Sequence, residues 1–209
     1  MLTVGATAAF ATTGVDATYP GTAGEYNANM FVPVNGKAEI DLTKILTVAN
    51  GTAPDSMKFN FNVYDGTATT GTALDTKSVE FNAGNYTSNG GENNKGVYTG
   101  TFKLDVAKLT EGKPVGKYTF TIVESMDKAY QSVIAERGTV TMVISKVNAK
   151  EVDATATAEF GYFVALKDSE GNKILATEAF KNKYGDGNIQ NLKLSKTVHL
   201  SLIHISEPT

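Results

Sequence analysis

The chain has 209 residues, of which 41% are hydrophobic, a net charge of −3 and no cysteine. That length can bury a substantial core in one domain. Mild acidity with interspersed lysines and carboxylates excludes a nucleic-acid or anionic-membrane surface. Without thiols, disulfides, thiolate metal sites and cysteine nucleophiles are excluded as well.

Met1–Ala11 is apolar, rich in small residues and ends in Ala9-Phe10-Ala11. This A-x-A pattern reads as the back half of a secretory signal peptide whose basic start is missing. The stretch is far shorter than the roughly 20 residues of a membrane span. Residues 12–36 are rich in Thr, Gly, Ala and Asn, lack a clear period, and read as a leader or edge segment. Ala38–Val48 is the first clear strand, broken by Asn50-Gly51 and Pro54. Lys58–Tyr64 alternates with Phe59, Phe61 and Val63 on one face, and Lys77–Phe81 follows a Gly/Thr turn at Asp65–Thr72. Asn82–Gly96 is polar, with Tyr86 its single apolar anchor, and reads as an exposed, mobile loop.

Val97–Leu104 is again a strand, Val106–Leu109 a short helical turn and Gly112–Gly116 a turn. Tyr118–Glu124 has the cleanest alternation, and Thr139–Val147 and Glu159–Lys167 follow as strands. A hairpin turn at Asp168–Asn172 leads through Ile174 to Phe180–Tyr184. Many short strands, frequent turn signals and no strong helical period predict an all-β sandwich. Beyond the linker Gly185–Asn188, Leu192–Val198 repeats the spacing of Ile40–Leu46, with Lys196 in the place of Lys44. Residues 190–199 therefore read as the first strand of a second, similar domain that is truncated. Leu200–Thr209 (LSLIHISEPT) matches, residue for residue, one reading frame of a common sequencing adapter. It is expected to be adapter-derived, which removes meaning from His204 and leaves the natural segment a fragment ending near His199.

Three polar residues occupy inward positions. Ile40, Leu42 and Lys44 share a face, as do Tyr118, Phe120, Ile122 and Glu124, and as do Phe180, Asn182 and Tyr184. A buried amine, carboxyl and carboxamide are each costly unless they meet. Each has a bland alternative: Lys44 can snorkel to solvent, Glu124 can pair with a surface cation, and Asn182 can satisfy a loop. Lys37, Glu80, Glu159, Asn172 and Asn188 are competing members of such a set. With His199 and His204 the only histidines, a Ser-His-Asp triad is excluded in practice, and no zinc motif is present, so neither metal nor cofactor is expected.

The set Leu42-Thr-Lys44, Tyr118-Thr-Phe-Thr-Ile-Val-Glu124 and Phe180-Lys-Asn182-Lys-Tyr184 resembles the isopeptide-linkage domain of Gram-positive shaft pilins and related surface adhesins, over residues 37–186. The resemblance implies an immunoglobulin-like, Cna B-type sandwich with a self-formed amide between Lys44 and Asn182, promoted by Glu124 as the catalytic acid. Physical chemistry points the same way. Burial among Phe59, Phe61, Tyr118, Phe120 and Phe180 would lower the pKa of Lys44 and raise that of Glu124, leaving a neutral amine beside a neutral acid. The amine could then attack the carboxamide while the acid polarises its carbonyl and protonates the departing ammonia. The implied partners are identical pilin subunits joined by sortase at the cell wall, with host surface ligands as a further class; nucleic acid is not implied, nor a membrane for the mature protein. Lys173 and Lys183 are the candidates for the inter-subunit lysine. An adhesin stalk or tip module is the alternative reading, and an unlinked secreted sandwich the third. Glu124 would act once on its own chain, so no enzyme with an external substrate is expected.

Overall fold

Period-two alternation marks the strands Glu39–Val48, Met57–Asp65 and Gly96–Asp105, whereas Thr139–Asn148 and Phe160–Lys167 are buried on both faces. The computed structural model describes residues 30–49, 56–88, 96–126 and 133–185. In chain order the strands are β1 (Glu39–Val48), β2 (Met57–Asp65), β3 (Asp75–Phe81), β4 (Tyr86–Ser88), β5 (Gly96–Asp105), β6 (Gly116–Met126), β7 (Val133–Arg137), β8 (Thr139–Asn148), β9 (Phe160–Lys167) and β10 (Phe180–Tyr184). Two single-turn helices, α1 (Val106–Leu109) and α2 (Ala149–Val152), follow β5 and β8. Asp105 caps α1 by accepting from the Ala107 and Lys108 amides.

The strands form two five-stranded sheets, β4-β5-β1-β10-β7 and β3-β2-β6-β8-β9. Their inner faces supply the core: Leu42 and Leu46 of β1, Phe59 and Phe61 of β2, Phe102 and Leu104 of β5, Phe120 and Ile122 of β6 and Phe180 of β10 are all buried. The expected all-β sandwich is therefore the fold. Most of its pairs are antiparallel, but β1 and β10 are parallel neighbours, Lys44 opposite Phe180 and Leu46 opposite Asn182. This pairing sets the first described strand beside the last at the centre of one sheet.

Tyr86–Ser88 is not loop, as expected for Asn82–Gly96, but an edge strand on β5, with the Tyr86 ring 4.9 Å from that of Tyr98. The one aromatic of the segment finds an aromatic partner, and burial of the pair overrides the polar surroundings. Within the leader, Phe31 bridges to Tyr162 on the outer edge of β9 through two backbone hydrogen bonds of 3.0 and 2.9 Å. Asn35 and Gly36 turn the chain with positive φ of 51° and 79°. At the other end of β9, the Ile174 amide donates to the Leu166 carbonyl at 2.9 Å, so this edge is covered on both sides of Val164. The signal-like N-terminus, Asn188, Lys196, His199 and the adapter-like tail lie outside the described residues.

Candidate functional site

Lys44, Glu124 and Asn182 converge between the sheets. β1 presents Lys44 on the parity of Leu42 and Leu46, and Lys44 is 0% exposed. β10 presents Asn182, also 0% exposed, on the parity of Phe180. Glu124 comes from β6 in the opposite sheet, its side chain 4% exposed. Lys44 Nζ donates to Glu124 Oε2 at 2.7 Å, and Asn182 Nδ2 donates to Glu124 Oε1 at 2.5 Å. One carboxylate thus holds an amine on one oxygen and a carboxamide on the other.

Asn182 Oδ1 is buried with no hydrogen-bond partner. The expected contact is between a protonated acid and this carbonyl; here Glu124 accepts from the nitrogen instead. The reason is chemical: an ionised carboxylate accepts but cannot donate, so it must take the N–H end of the carboxamide. The unpaired carbonyl costs on the order of 1–3 kcal/mol.

The surroundings are aromatic. Phe59 places its ring centroid 4.6 Å from Lys44 Nζ. Phe180 faces Lys44 across β1 and β10, and Phe61 faces Glu124 across β2 and β6. Phe61 also stacks on Phe102 at 4.2 Å and meets Phe180 at 4.7 Å, which closes the pocket. Gly100 of β5 lies opposite Lys44, and a Cβ there would come within 2.4 Å of Val79. Tyr118 and Phe120, expected in the surround, are not part of it. They sit six and four residues from Glu124 along β6, about 20 and 14 Å at the rise of a strand. Their rings meet Lys113 instead, at 5.2 and 5.7 Å, and the Tyr118 hydroxyl donates to the Pro114 carbonyl.

Burial dominates the electrostatics. It lowers the Lys44 ammonium from 10.5 to about 8, with Glu124 opposing the shift. It raises Glu124 above its ordinary carboxyl range, with Lys44 and the Asn182 hydrogen bond opposing. Both shifts favour the neutral forms. At neutral pH a lysine shifted this far holds roughly 300-fold more free amine than an unperturbed one. Lys146, also buried, has different neighbours: its Nζ donates to the Thr110 and Lys113 carbonyls at 3.2 and 2.7 Å and lies 4.2 Å from the Phe160 centroid. It meets backbone carbonyls and a ring rather than an acid and a carboxamide.

The competing residues lie elsewhere. Lys37 is exposed beyond the Asn35-Gly36 turn, Glu80 accepts from Ser56 on the outer face of β3, and Glu159 is exposed before β9. Asn172 is spent in its turn, its amide and side chain both donating to Asp168. Lys173 is exposed in the same turn, and Lys183 pairs with Glu136 at 2.9 Å. β7, which the sequence pattern does not mark as a strand, flanks Asn182 and leads into Gly138, whose carbonyl accepts the Glu124 amide at 2.7 Å. The available signal was weak: the β-branched pair Val133-Ile134 before Gly138, in a run too short to alternate. Among the described residues, no group of His, Cys, Asp and Glu converges on a metal-binding arrangement, and no helix is long and apolar enough to cross a membrane.

No protein-family model and no curated protein matches the chain. Among solved structures it is similar to three crystal structures of the major pilin from Streptococcus pyogenes, two of them mutants. Identities are 18%, 22% and 18%, with TM-scores of 0.48, 0.46 and 0.48. The alignments cover 71%, 72% and 71% of this chain and 51% of each pilin chain, so the chain spans about half the length of the pilins it matches.

Proposed function

We propose that this chain is a structural cell-surface protein, a pilus shaft subunit, whose sandwich is locked by a self-formed amide between Lys44 and Asn182. One observation carries the reading: a single buried carboxylate bridges a buried amine and a buried carboxamide, at 2.7 and 2.5 Å. Burial favours the neutral form of both groups, so a proton that passes from the Lys44 ammonium to Glu124 leaves a neutral amine and a neutral acid. The protonated Glu124 now has a donor, and a half-turn of the carboxamide gives Oδ1, unpaired until then, to that donor. The Nζ lone pair attacks Cγ of Asn182 while the carbonyl π electrons move to Oδ1. Glu124 passes its proton to Nδ2, the Cγ–Nδ2 bond breaks, and ammonia leaves. Nζ yields a proton to the carboxylate as the amide forms, so the products are one amide, one ammonia and a protonated Glu124. Preorganisation in the folded core supplies effective molarities on the order of 10⁵ M or more.

The place of the bond suits a load-bearing subunit. It would join neighbouring parallel strands at the entry and exit of the sandwich. In a chain without cysteine it would also provide a cross-link that reduction cannot open. The signal-like N-terminus supports export, and the reading places the mature protein in the cell wall or pilus of a Gram-positive bacterium, joined by sortase to identical subunits. Lys173, exposed in its turn, and Lys183, beside Glu136 at 2.9 Å, are the candidates for the inter-subunit lysine.

Intact mass of the purified folded chain tests the reading. The expected mass is one ammonia below that of the sequence, returning to the sequence mass in Glu124→Ala and in Asn182→Ala, with peptide mapping joining Lys44 to Asn182. A full sequence mass in the folded wild type would sink the proposal.

A further inference from the structure

Facing sheets stand about 10 Å apart, a gap that the Asn182 and Glu124 side chains close with a 2.5 Å contact. The corner between β7 and β8 joins the two sheets beside this contact. β7 runs beside β10 in the first sheet, β8 runs beside β6 in the second, and Gly138 alone separates them. The β7–β10 register shifts at the reactive position: Lys181 faces Arg137 and Asn182 faces Ala135, so Glu136 is an extra residue. A bulge of this kind bends its strand and lets a chain change sheets. One residue beyond Arg137, the Gly138 carbonyl takes the Glu124 amide at 2.7 Å. Four consecutive residues therefore hold the backbone of Asn182 at one end and that of Glu124 at the other. The Arg137 guanidinium fastens the corner, donating to the Glu178 carbonyl at 2.6 Å in the turn that leads into β10.

We infer that the Ala135–Gly138 corner is the positioning element of the amide-forming centre, with Arg137 the positioning residue that fixes it. The inference rests on the reading of Lys44, Glu124 and Asn182 as a reacting set, and Arg137 touches none of the reacting atoms. Arg137 is not among the groups that shift Lys44 or Glu124; its neighbour Glu136 raises Lys44 and is held by its own pair with Lys183 at 2.9 Å. Its loss should therefore slow the reaction through geometry and leave the pH limbs of the rate in place. A misplacement of about 1 Å can cost on the order of 100-fold in such a step.

The test starts from full-length chains isolated unreacted in denaturant and follows ammonia loss by intact mass after dilution into buffer. Rates are compared across pH, with circular dichroism confirming that each variant is folded. Arg137→Ala is expected to react at least about tenfold more slowly with unchanged limbs, and Arg137→Lys, which retains a donor, to recover most of the rate. Lys181→Ala removes only the 2.6 Å side-chain pair with Glu178 and is expected to react at the wild-type rate. Arg137→Met keeps the aliphatic stem, removes the donor and carries the same test where the alanine variant does not fold. A folded Arg137→Ala or Arg137→Met variant that reacts at the wild-type rate overturns the positioning role alone. A wild type that folds and never loses ammonia overturns the reacting centre, and the positioning role with it.

Discussion

Pulling the chain by its ends gives the sharpest consequence of a Lys44–Asn182 bond. Once the two-bond Phe31–Tyr162 bridge gives way, load enters the sandwich at the start of β1 and leaves at the end of β10. These strands are parallel neighbours, so their five paired positions, from Lys44–Phe180 to Val48–Tyr184, are loaded in shear. With the amide in place, force crosses from β1 to β10 at Lys44 and Asn182, and residues 45–181 carry none of it. That segment holds 137 residues (181 − 44). At about 3.3–3.6 Å per extended residue it would release roughly 450–490 Å of chain if freed. Asn182→Ala is the cleanest perturbation, because it abolishes the bond and leaves the Lys44–Glu124 pair intact. Single-molecule pulling of that variant should show an unfolding step of about 450–490 Å, and the wild type should show no step in this range before the handles fail. A step of equal length in both proteins would refute the load path and the bond together.

Two further outcomes follow from the same geometry. The reactive state of the Lys44–Glu124 pair holds one shared proton, so the rate of amide formation should be bell-shaped in pH. It should fall above about 8, where Lys44 loses that proton, and again on the acid side once Glu124, raised above its ordinary range, stays protonated beside an ammonium; a rate that keeps climbing to pH 10 would contradict the shared-proton state. In the unlinked Asn182→Ala variant the sign differs between the two groups. The lowered Lys44 makes the unfolded chain bind more protons between about 8 and 10.5, so stability rises with pH there. The raised Glu124 makes the folded chain bind more just above 4.5, so stability falls as pH rises through that lower window. Urea unfolding across pH reads both. Comparing variants at neutral pH, loss of a cross-link closing a loop of this length should cost about 5 kcal/mol in Asn182→Ala on the disulfide analogy. Glu124→Ala should cost about 3–5 kcal/mol more, because removing one side of a buried pair leaves the Lys44 amine without its partner. Equal stabilities for the two variants would argue against a buried ion pair in the unlinked protein.

Strand parity was legible around the polar set because β1 and β10 bury one face more deeply than the other. Lys44 follows Leu42, Asn182 follows Phe180, and Glu124 follows Phe120 and Ile122, so their inward direction could be read from the neighbours alone. Distance along a strand was a different matter. Tyr118 has the parity of Glu124 but lies about 20 Å away, and parity carries no information about which inward residues meet. The parallel β1–β10 pairing was also not legible, since it depends on how the strands between them divide into two sheets. β7 escaped for a third reason. It is a five-residue edge strand, mostly exposed, so burial imposed no alternation on it.

The least legible strand is the one that gives the three polar residues their geometry. A lysine and an asparagine on adjacent strands of one sheet can be placed by ordinary ladder hydrogen bonds. An acid from the opposing sheet cannot, because nothing in a sandwich core except side-chain packing fixes its distance. Packing alone would let apolar contacts compete with the meeting of three polar groups, each costly to bury. A covalent corner changes this balance. With Ala135 paired to Asn182, Gly138 bonded to Glu124 and a bulge between them, the two sheets share one short piece of backbone beside the polar set. The polar residues then meet because the chain itself turns there, and the aromatic rings of Phe59, Phe61 and Phe180 close over a constellation already held in place.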